Sequence, residues 1–473
     1  MAEQKICEFP RFMIAAEKSG QGKTMITCGL LSLLSDTQGP AAEYAVHAFK
    51  CGPDYIDPMF HRRVLGIPSY NLDSFFSSED ELCYLLGRHG RNRKSLGVIE
   101  GVMGYYDGLG GITDRASAYE VARLTKTPVV LIVDASGRSY SVLAAIRGFL
   151  TYRPDSRIGG VIFNRLSPML YPGLKEAAER ELGISVIGYV PVLEDVAFES
   201  RHLGLIMPEE IPEFKEKIKA LADRIRPGID FSALLSLAKT AGPLSMQGEN
   251  IPCVRKKNGQ KPVIAVAMDQ AFCFYYEDNL DTLKAMGAEL CYFSPMKDRQ
   301  IPSGADGLYL GGGYPELYGG PLSENDSMRE SMRECIGRGM PCIAECGGYL
   351  YLKEWLVDEE NRRWPMCGVL PGGSEDSGKL SRFGYGIMTI KEDGLLGLAG
   401  EKFPVHEFHH WDCKENGAAC YFRKPSGNRG WDCGYMTDSL YAGFSHLYFY
   451  GHYPSRFLWR AARWKEETQQ LIR

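Results

Sequence analysis

A chain of 473 residues is too long for one ordinary hydrophobic core and implies two or three domains. With 44% hydrophobic and 24% charged residues it has the balance of a globular protein, and a net charge of −5 argues against general nucleic-acid binding, although a local basic pocket for an acidic substrate is allowed. No apolar run approaches a membrane span, residues 12–16 are too short for a signal peptide, and the fourteen cysteines show no C-x-x-C spacing; these features point to the reducing cytoplasm and away from a zinc ribbon or thioredoxin-type site.

Residues 12–16 read as a strand, followed by a helical pattern through Leu34. Further strands are expected at 46–49, 96–99, 128–133 and 160–163, with helical patterns between most of them. Continuous apolar runs alternating with helices indicate a parallel sheet covered on both faces, so the first half is expected to be a doubly wound α/β domain. Periodicity stops over 239–260, where Gly242-Pro243, Gly248, Pro252 and Lys256-Lys257-Asn258-Gly259 suggest a linker. Alternation resumes at 262–267 and continues through 290–293, 307–310, a helix near 325–338 and a strand at 341–344. After about residue 365, strands are expected to dominate. Cys28 and Cys291 lie in apolar runs and are expected to be small buried side chains.

Ser19-Gly20-Gln21-Gly22-Lys23-Thr24 lies between the first strand and the first helix. Such a loop aims backbone N–H groups at phosphate; Lys23 would reach the terminal phosphates and Thr24 would ligate Mg2+. The strict P-loop pattern has glycine where this chain has Glu17, so the match is to the variant loop of dethiobiotin-synthetase-like proteins. Asp54, Asp57, Glu100 and Asp107 each follow an expected strand and should gather at the carboxyl edge of the sheet. Thr24, Asp54 and Glu100 form the expected metal set.

Cys346 stands in Ala344-Glu345-Cys346-Gly347-Gly348, between an apolar run and a helical one. Small neighbours permit a sharp strand-to-helix turn that exposes a nucleophile, and a helix start would lower the thiol pKa. Gly311-Gly312-Gly313 could supply oxyanion donors. Of nine histidines, His446 is the expected base and His452 its competitor. His406-Glu407-Phe408-His409-His410 fits H-E-x-x-H, but Pro404 and the absence of an apolar helical stripe argue for strand and loop instead of a zinc site.

Together these segments resemble the cobyrinic acid a,c-diamide synthase family, nearly end to end. The likeness includes Lys50-Cys51-Gly52-Pro53-Asp54-Tyr55-Ile56-Asp57-Pro58, Asn71-Leu72-Asp73, residues 100–108 and Ser200-Arg201-His202-Leu203-Gly204-Leu205. It continues with residues 271–276, 311–317, 344–352, 406–409 and Ser445-His446-Leu447. It implies an N-terminal ATP- and substrate-binding synthetase domain (1–238), a linker (239–260) and a C-terminal class I glutamine amidotransferase domain (261–460). It also implies ATP, glutamine and Mg2+, a tetrapyrrole substrate amidated at its a and c carboxylates, and no nucleic-acid or membrane partner; a homodimer is allowed. Cys346 and His446 match the family's nucleophile and histidine, while Asp54, Tyr55, Ile56, Asp57, Glu100 and Asp107 match segments around its synthetase site. Asn164 is the expected adenine reader, although Tyr171 stands where the family usually has histidine. Tyr448 occupies the place of the glutamate that many class I enzymes carry two residues after the histidine, so a Cys-His dyad is expected. The related enzymes for hydrogenobyrinic acid and nickel-sirohydrochlorin share these motifs. An alternative of another class is a regulatory P-loop ATPase of the ParA/MinD type.

Overall fold

The computed structural model describes residues 6–91, 94–193, 200–201, 204–205, 214–247, 251–380 and 382–471. His202 and Leu203, part of the family likeness, lie outside them. Met1–Glu249 and Asn250–Arg473 form two compact units.

The first unit is built on a seven-stranded, all-parallel sheet. Its spatial order is Ser69–Leu72, Ala45–Cys51, Ser95–Glu100, Arg11–Ala16, Val129–Asp134, Ile158–Asn164 and Ser185–Val190. Consecutive residues such as Val129, Val130, Leu131, Ile132 and Val133 are all fully buried, because helices cover both faces. Helix Lys23–Ser35 follows the central strand and joins Phe214–Ile225 in the core. Ser69–Leu72 and Ser185–Val190 fall outside the sequence expectation. Ser69-Tyr70-Asn71-Leu72 has no apolar run, and Gly188 interrupts the other. Leu244–Ser245, within the expected linker, pairs antiparallel with Ile6–Cys7 in this unit.

The second unit holds a six-stranded sheet in the order Glu289–Phe293, Val263–Ala267, Gly307–Leu310, Cys342–Glu345, Leu440–Gly443 and Tyr435–Met436. All neighbours are parallel except the last pair. Alternate side chains enter separate cores: Leu308, Leu310 and Ala344 on one face, Tyr309, Ile343 and Tyr441 on the other. The later strands form a four-stranded sheet and a five-stranded antiparallel sheet; the latter includes Arg382–Ile390, Lys402–His409 and His446–Leu447. Cys28 is buried as expected, whereas Cys291 keeps part of its surface open.

Arg11 opens the central strand of the first unit and is fully buried. Its guanidinium donates to Thr127 Oγ1 (3.0 Å) and to the carbonyls of Phe9 (2.7 Å), Thr125 (2.5 Å) and Gly242 (2.7 Å). The planar fork thereby ties the strand to loops distant in sequence. Arg11→Met keeps much of the volume but strands these acceptors in a dry site. It should destabilise the first unit by about 3 kcal/mol. Urea denaturation would check this; an unchanged midpoint would mean that the acceptors find other donors at no cost.

Candidate active site

The parallel register brings the phosphate loop and the acids together. Lys50 is paired with Glu100, and Glu100 with Ile14 of the strand that feeds the loop. Gly20 and Gly22 adopt left-handed φ of 76° and 83°, which lets the chain turn into helix Lys23–Ser35 with its first N–H groups unclaimed by the helix. Glu17, at the position of the usual first glycine, accepts a hydrogen bond from Gln21 Nε2 (2.8 Å), bracing the loop from within. Asn164 Nδ2 donates to the Gln21 carbonyl (2.9 Å), so at least part of the expected adenine reader's amide supports the loop.

Lys23 Nζ donates to the Met103 carbonyl at 2.5 Å, and burial, then Lys50, lower its pKa to about 8. The Thr24 hydroxyl donates to Glu100 Oε1 at 2.6 Å. Lys50 Nζ lies 2.5 Å from Asp57 Oδ2, 2.8 Å from Glu100 Oε1 and 3.8 Å from Asp54 Oδ2. Burial opposes a charge on Lys50, but Asp57, Glu100 and Asp54 outweigh it and hold its pKa well above the ordinary lysine value. Burial would raise Asp57, yet Lys50 holds it below the usual carboxylate range; Glu100, dominated by burial, stays raised. Asp54 is pushed up to about 7, first by burial among protein atoms and then by Asp57, although 31% of its side-chain surface is open.

Lys50 is absent from the expected site; its signal in the sequence is a lysine at the end of an apolar run, where an unpaired charge is costly. Tyr55 is half-buried. Ile56 is 4% exposed and opens helix Ile56–Arg63, so its side chain belongs mainly to the protein interior. Asp107 is exposed and accepts from the Gly104 amide at 2.9 Å.

Among the described residues no group of three His, Cys, Asp or Glu forms a ready metal cage. The donors nevertheless suit Mg2+, which is held by one or two protein oxygens together with phosphate and water. Thr24 Oγ1 and Glu100 Oε1 are adjacent, Glu100 Oε2 is buried without a hydrogen-bond partner, and three carboxylates face the single charge of Lys50.

In the second unit, Cys346 sits at the turn between strand Cys342–Glu345 and helix Gly347–Leu352, with φ 47° and ψ −106°. Close packing requires its glycine neighbours. A Cβ on Gly348 would lie 2.4 Å from the Leu310 carbonyl oxygen, and one on Gly347 would lie 2.9 Å from Gly313 N. A Cβ on Gly312 would come within 2.7 Å of His446 Cε1, so the glycine loop abuts both the nucleophile turn and the histidine. The expectation of a lowered thiol pKa is corrected here: Cys346 is 7% exposed, and burial followed by Glu316 pushes it up. Activation therefore calls for a base.

His446 is buried, with Nδ1 3.7 Å from Glu345 Oε2. Its strand pairs with Lys402–His409, placing His406 opposite His446. The H-E-x-x-H stretch is thus strand followed by chain, without the helical face that its zinc reading requires. Glu407 accepts from Ser445 Oγ at 2.7 Å, while His409 stacks on Phe444 with ring centres 3.7 Å apart. These contacts brace the turn that presents His446. In the sequence these residues carry only the family likeness, with no individual role. His452 instead packs on Phe403.

The φ of Cys346 yields a stability test. Cys346→Gly should be more stable than Cys346→Ala by about 1 kcal/mol, because only glycine relaxes at this φ/ψ. In an ordinary helix the order is reversed. Denaturation of the two variants would check it; a more stable alanine variant would show that the turn carries no strain.

A family model described as a CobQ/CobB/MinD/ParA nucleotide binding domain matches residues 12–205, and one described as a CobB/CobQ-like glutamine amidotransferase domain matches 263–454. A cobyrinate a,c-diamide synthase of Listeria innocua is 40% identical over 446 residues, covering 93% of this chain and 96% of that protein. One from Caldanaerobacter subterraneus subsp. tengcongensis is 40% identical over 456 residues, covering 95% and 98%. Among solved structures, PurLQS from Thermotoga maritima aligns with TM-score 0.31 and 12% identity over 45% of this chain and 100% of that one, too weak a likeness to build on. The near end-to-end likeness to the two synthases spans both the phosphate loop and the cysteine turn, and by it this chain belongs to the cobyrinate a,c-diamide synthase family.

Proposed function

We propose that this chain is an ATP-dependent, glutamine-hydrolysing ligase that amidates the a and c carboxylates of cobyrinate in cobalamin biosynthesis. The observation that carries the reading is the presence in one chain of a phosphate loop with Lys23 and Thr24 beside Glu100, and a constrained Cys346 turn in the unit that holds His446. A ParA/MinD-type ATPase would have no use for the second constellation. Cobyrinate is favoured over hydrogenobyrinate and nickel-sirohydrochlorin by the relatives' names; binding measurements with all three would separate them.

Hydroxide is too poor a leaving group for direct amidation. The terminal phosphoryl group of ATP therefore passes to a substrate carboxylate, giving an acyl phosphate and ADP. Backbone N–H groups of residues 19–24 cradle the phosphates, and Lys23 neutralises charge on the transferring group. Thr24 and Glu100, with Asp54 as a further donor, would hold Mg2+, which supplies charge neutralisation on the phosphates when bound. Asp54, Tyr55 and Asp107 retain open surface and are the best placed to touch the substrate, while Ile56 and Asp57 support that loop from behind. Asn164 is 1% exposed, with Nδ2 donating to the Gln21 carbonyl and Oδ1 accepting from the Arg165 amide, so it serves the nucleotide chiefly by holding the phosphate loop.

At the second site Cys346 gives its proton to His446 and attacks the glutamine amide carbon. The imidazolium returns a proton to the leaving nitrogen, the C–N bond breaks, and ammonia departs from a glutamyl thioester. Water hydrolyses the thioester to glutamate and regenerates the thiol. Ammonia attacks the acyl phosphate, releasing phosphate and forming the amide.

Cys346→Ala should abolish glutamine-dependent amidation but allow synthesis from high ammonium. His446→Ala should show the same pattern, and His452→Ala should retain glutamine use. Product formation with both nitrogen donors checks this; equal loss with both in Cys346→Ala would remove that residue from the glutaminase.

Lys23→Ala should reduce synthesis with either donor by roughly a hundredfold or more, since it deletes a preorganised cation on the phosphoryl group. ATP turnover and glutamine hydrolysis, measured separately, decide the point. Wild-type ATP turnover would contradict the phosphate-loop reading.

A further inference from the structure

Glu345 is the last residue of the strand that delivers Cys346, and it is 1% exposed. A carboxylate so placed needs strong partners or a purpose. Its Oε1 accepts from the Leu447 amide and the Tyr309 hydroxyl, both at 3.4 Å, which are long hydrogen bonds. Its Oε2 faces His446 Nδ1 at 3.7 Å, and among the described residues that is its ion-pair partner. Strand register explains the geometry. Cys342–Glu345 runs parallel to Leu440–Gly443 with Glu345 opposite Gly443, so the chain three residues beyond Gly443 carries His446 past the carboxylate.

A catalytic imidazole that exchanges protons at one ring nitrogen is held in one tautomer by an acceptor at the other. The usual source of that acceptor, two residues after the histidine, is here Tyr448, whose ring packs edge-on against Tyr276. Glu407 Oε1 accepts from Ser445 at 2.7 Å, and its Oε2 lies 3.9 Å from His409 Nε2, so the ring nitrogen it faces belongs to His409.

We infer that Glu345 is the positioning residue for His446: its carboxylate holds Nδ1 so that the other nitrogen serves the Cys346 thiol, and the nucleophile's own neighbour completes a Cys-His-Glu arrangement. The inference rests on the glutaminase reading of Cys346. Burial raises the Glu345 pKa, and the contact with His446 is the first influence opposing that rise. The electrostatic attraction thus runs in the direction the role requires. Closing the Nδ1–Oε2 gap to hydrogen-bond length would need only a small side-chain adjustment, as catalytic contacts tighten when substrate binds.

The test is steady-state glutamine hydrolysis by the full chain as wild type, Glu345→Gln, Glu345→Asp and Cys346→Ala, with thermal melting to verify folding. Glu345→Gln keeps an acceptor for Leu447 and Tyr309 but loses the charge and can point N–H at Nδ1. It should lower kcat on the order of a hundredfold with little change in KM for glutamine. Glu345→Asp keeps the charge on a shorter arm and should recover at least a tenth of wild-type kcat. A Gln variant within about twofold of wild type, or Gln and Asp variants equally impaired, would overturn the inference and leave Glu345 structural. If Glu345→Gln does not fold, the Asp variant decides alone: a tenth of wild-type kcat supports the role, and loss to the Cys346→Ala level overturns it. Continued glutamine hydrolysis by Cys346→Ala would instead overturn the glutaminase reading itself, a separate failure.

Discussion

The buried ion cluster of Lys50 with Asp57 and Glu100 organises the first unit's chemistry. One ammonium ties the segment that follows its own strand, through Asp54 and Asp57, to the end of the neighbouring strand at Glu100, with contacts of 2.5–3.8 Å. Desolvation makes such an arrangement expensive unless it is well paired, and removing its single cation would leave like charges facing each other. That is why Glu100 can stand against Thr24 at the end of a fully buried strand. The cluster also leaves the carboxylates in excess over the cation, an environment suited to a nucleotide carrying a divalent metal. Lys23 is less well compensated: burial and then Lys50 lower its pKa in spite of Glu100, Asp107 and Asp57, so an anionic phosphate beside it would oppose that shift.

The second unit solves a different problem with the same sheet geometry. Cys346 must leave a buried strand and enter a helix within one residue, which forces a backbone conformation that suits side chains poorly. The surrounding structure enforces it through steric closeness: Leu310, Gly313 and Pro315 leave no space for a Cβ on either following glycine. The same tightness keeps the thiol dry and raises its pKa, so reactivity depends on His446 more than on the helix start. The strand Lys402–His409 and the Ser445–Glu407 bond hold that histidine. A stretch resembling a metalloprotease motif thus serves as scaffolding.

The two units share the rule that parallel strands all end at one edge, where loops are free to carry function. It gathers residues as far apart in sequence as Thr24, Lys50 and Glu100, or Gly312, Cys346 and His446, without requiring the rest of each domain to be specialised. Burial behind that edge supplies the low dielectric in which single charges matter.

Much was legible in the amino-acid sequence by itself. Apolar runs set the central strands of both sheets, because a strand covered on both faces must be apolar throughout. Gly20, Gly22, Gly347 and Gly348 marked the two functional turns, because only glycine meets their conformational and steric demands. Local patterns therefore announced the α/β architecture, the phosphate loop and the cysteine turn. What only the tertiary structure decided was which side chains face one another across strands. Lys50 against Asp57 and Glu100, Glu345 against His446, and Glu407 against Ser445 are pairings set by sheet register between distant segments. Edge strands such as Ser69–Leu72 were also hidden, since their pairing comes from a neighbour and not from their own composition. The direction of the Cys346 pKa likewise emerged only with burial, because desolvation belongs to the folded environment and not to the residue.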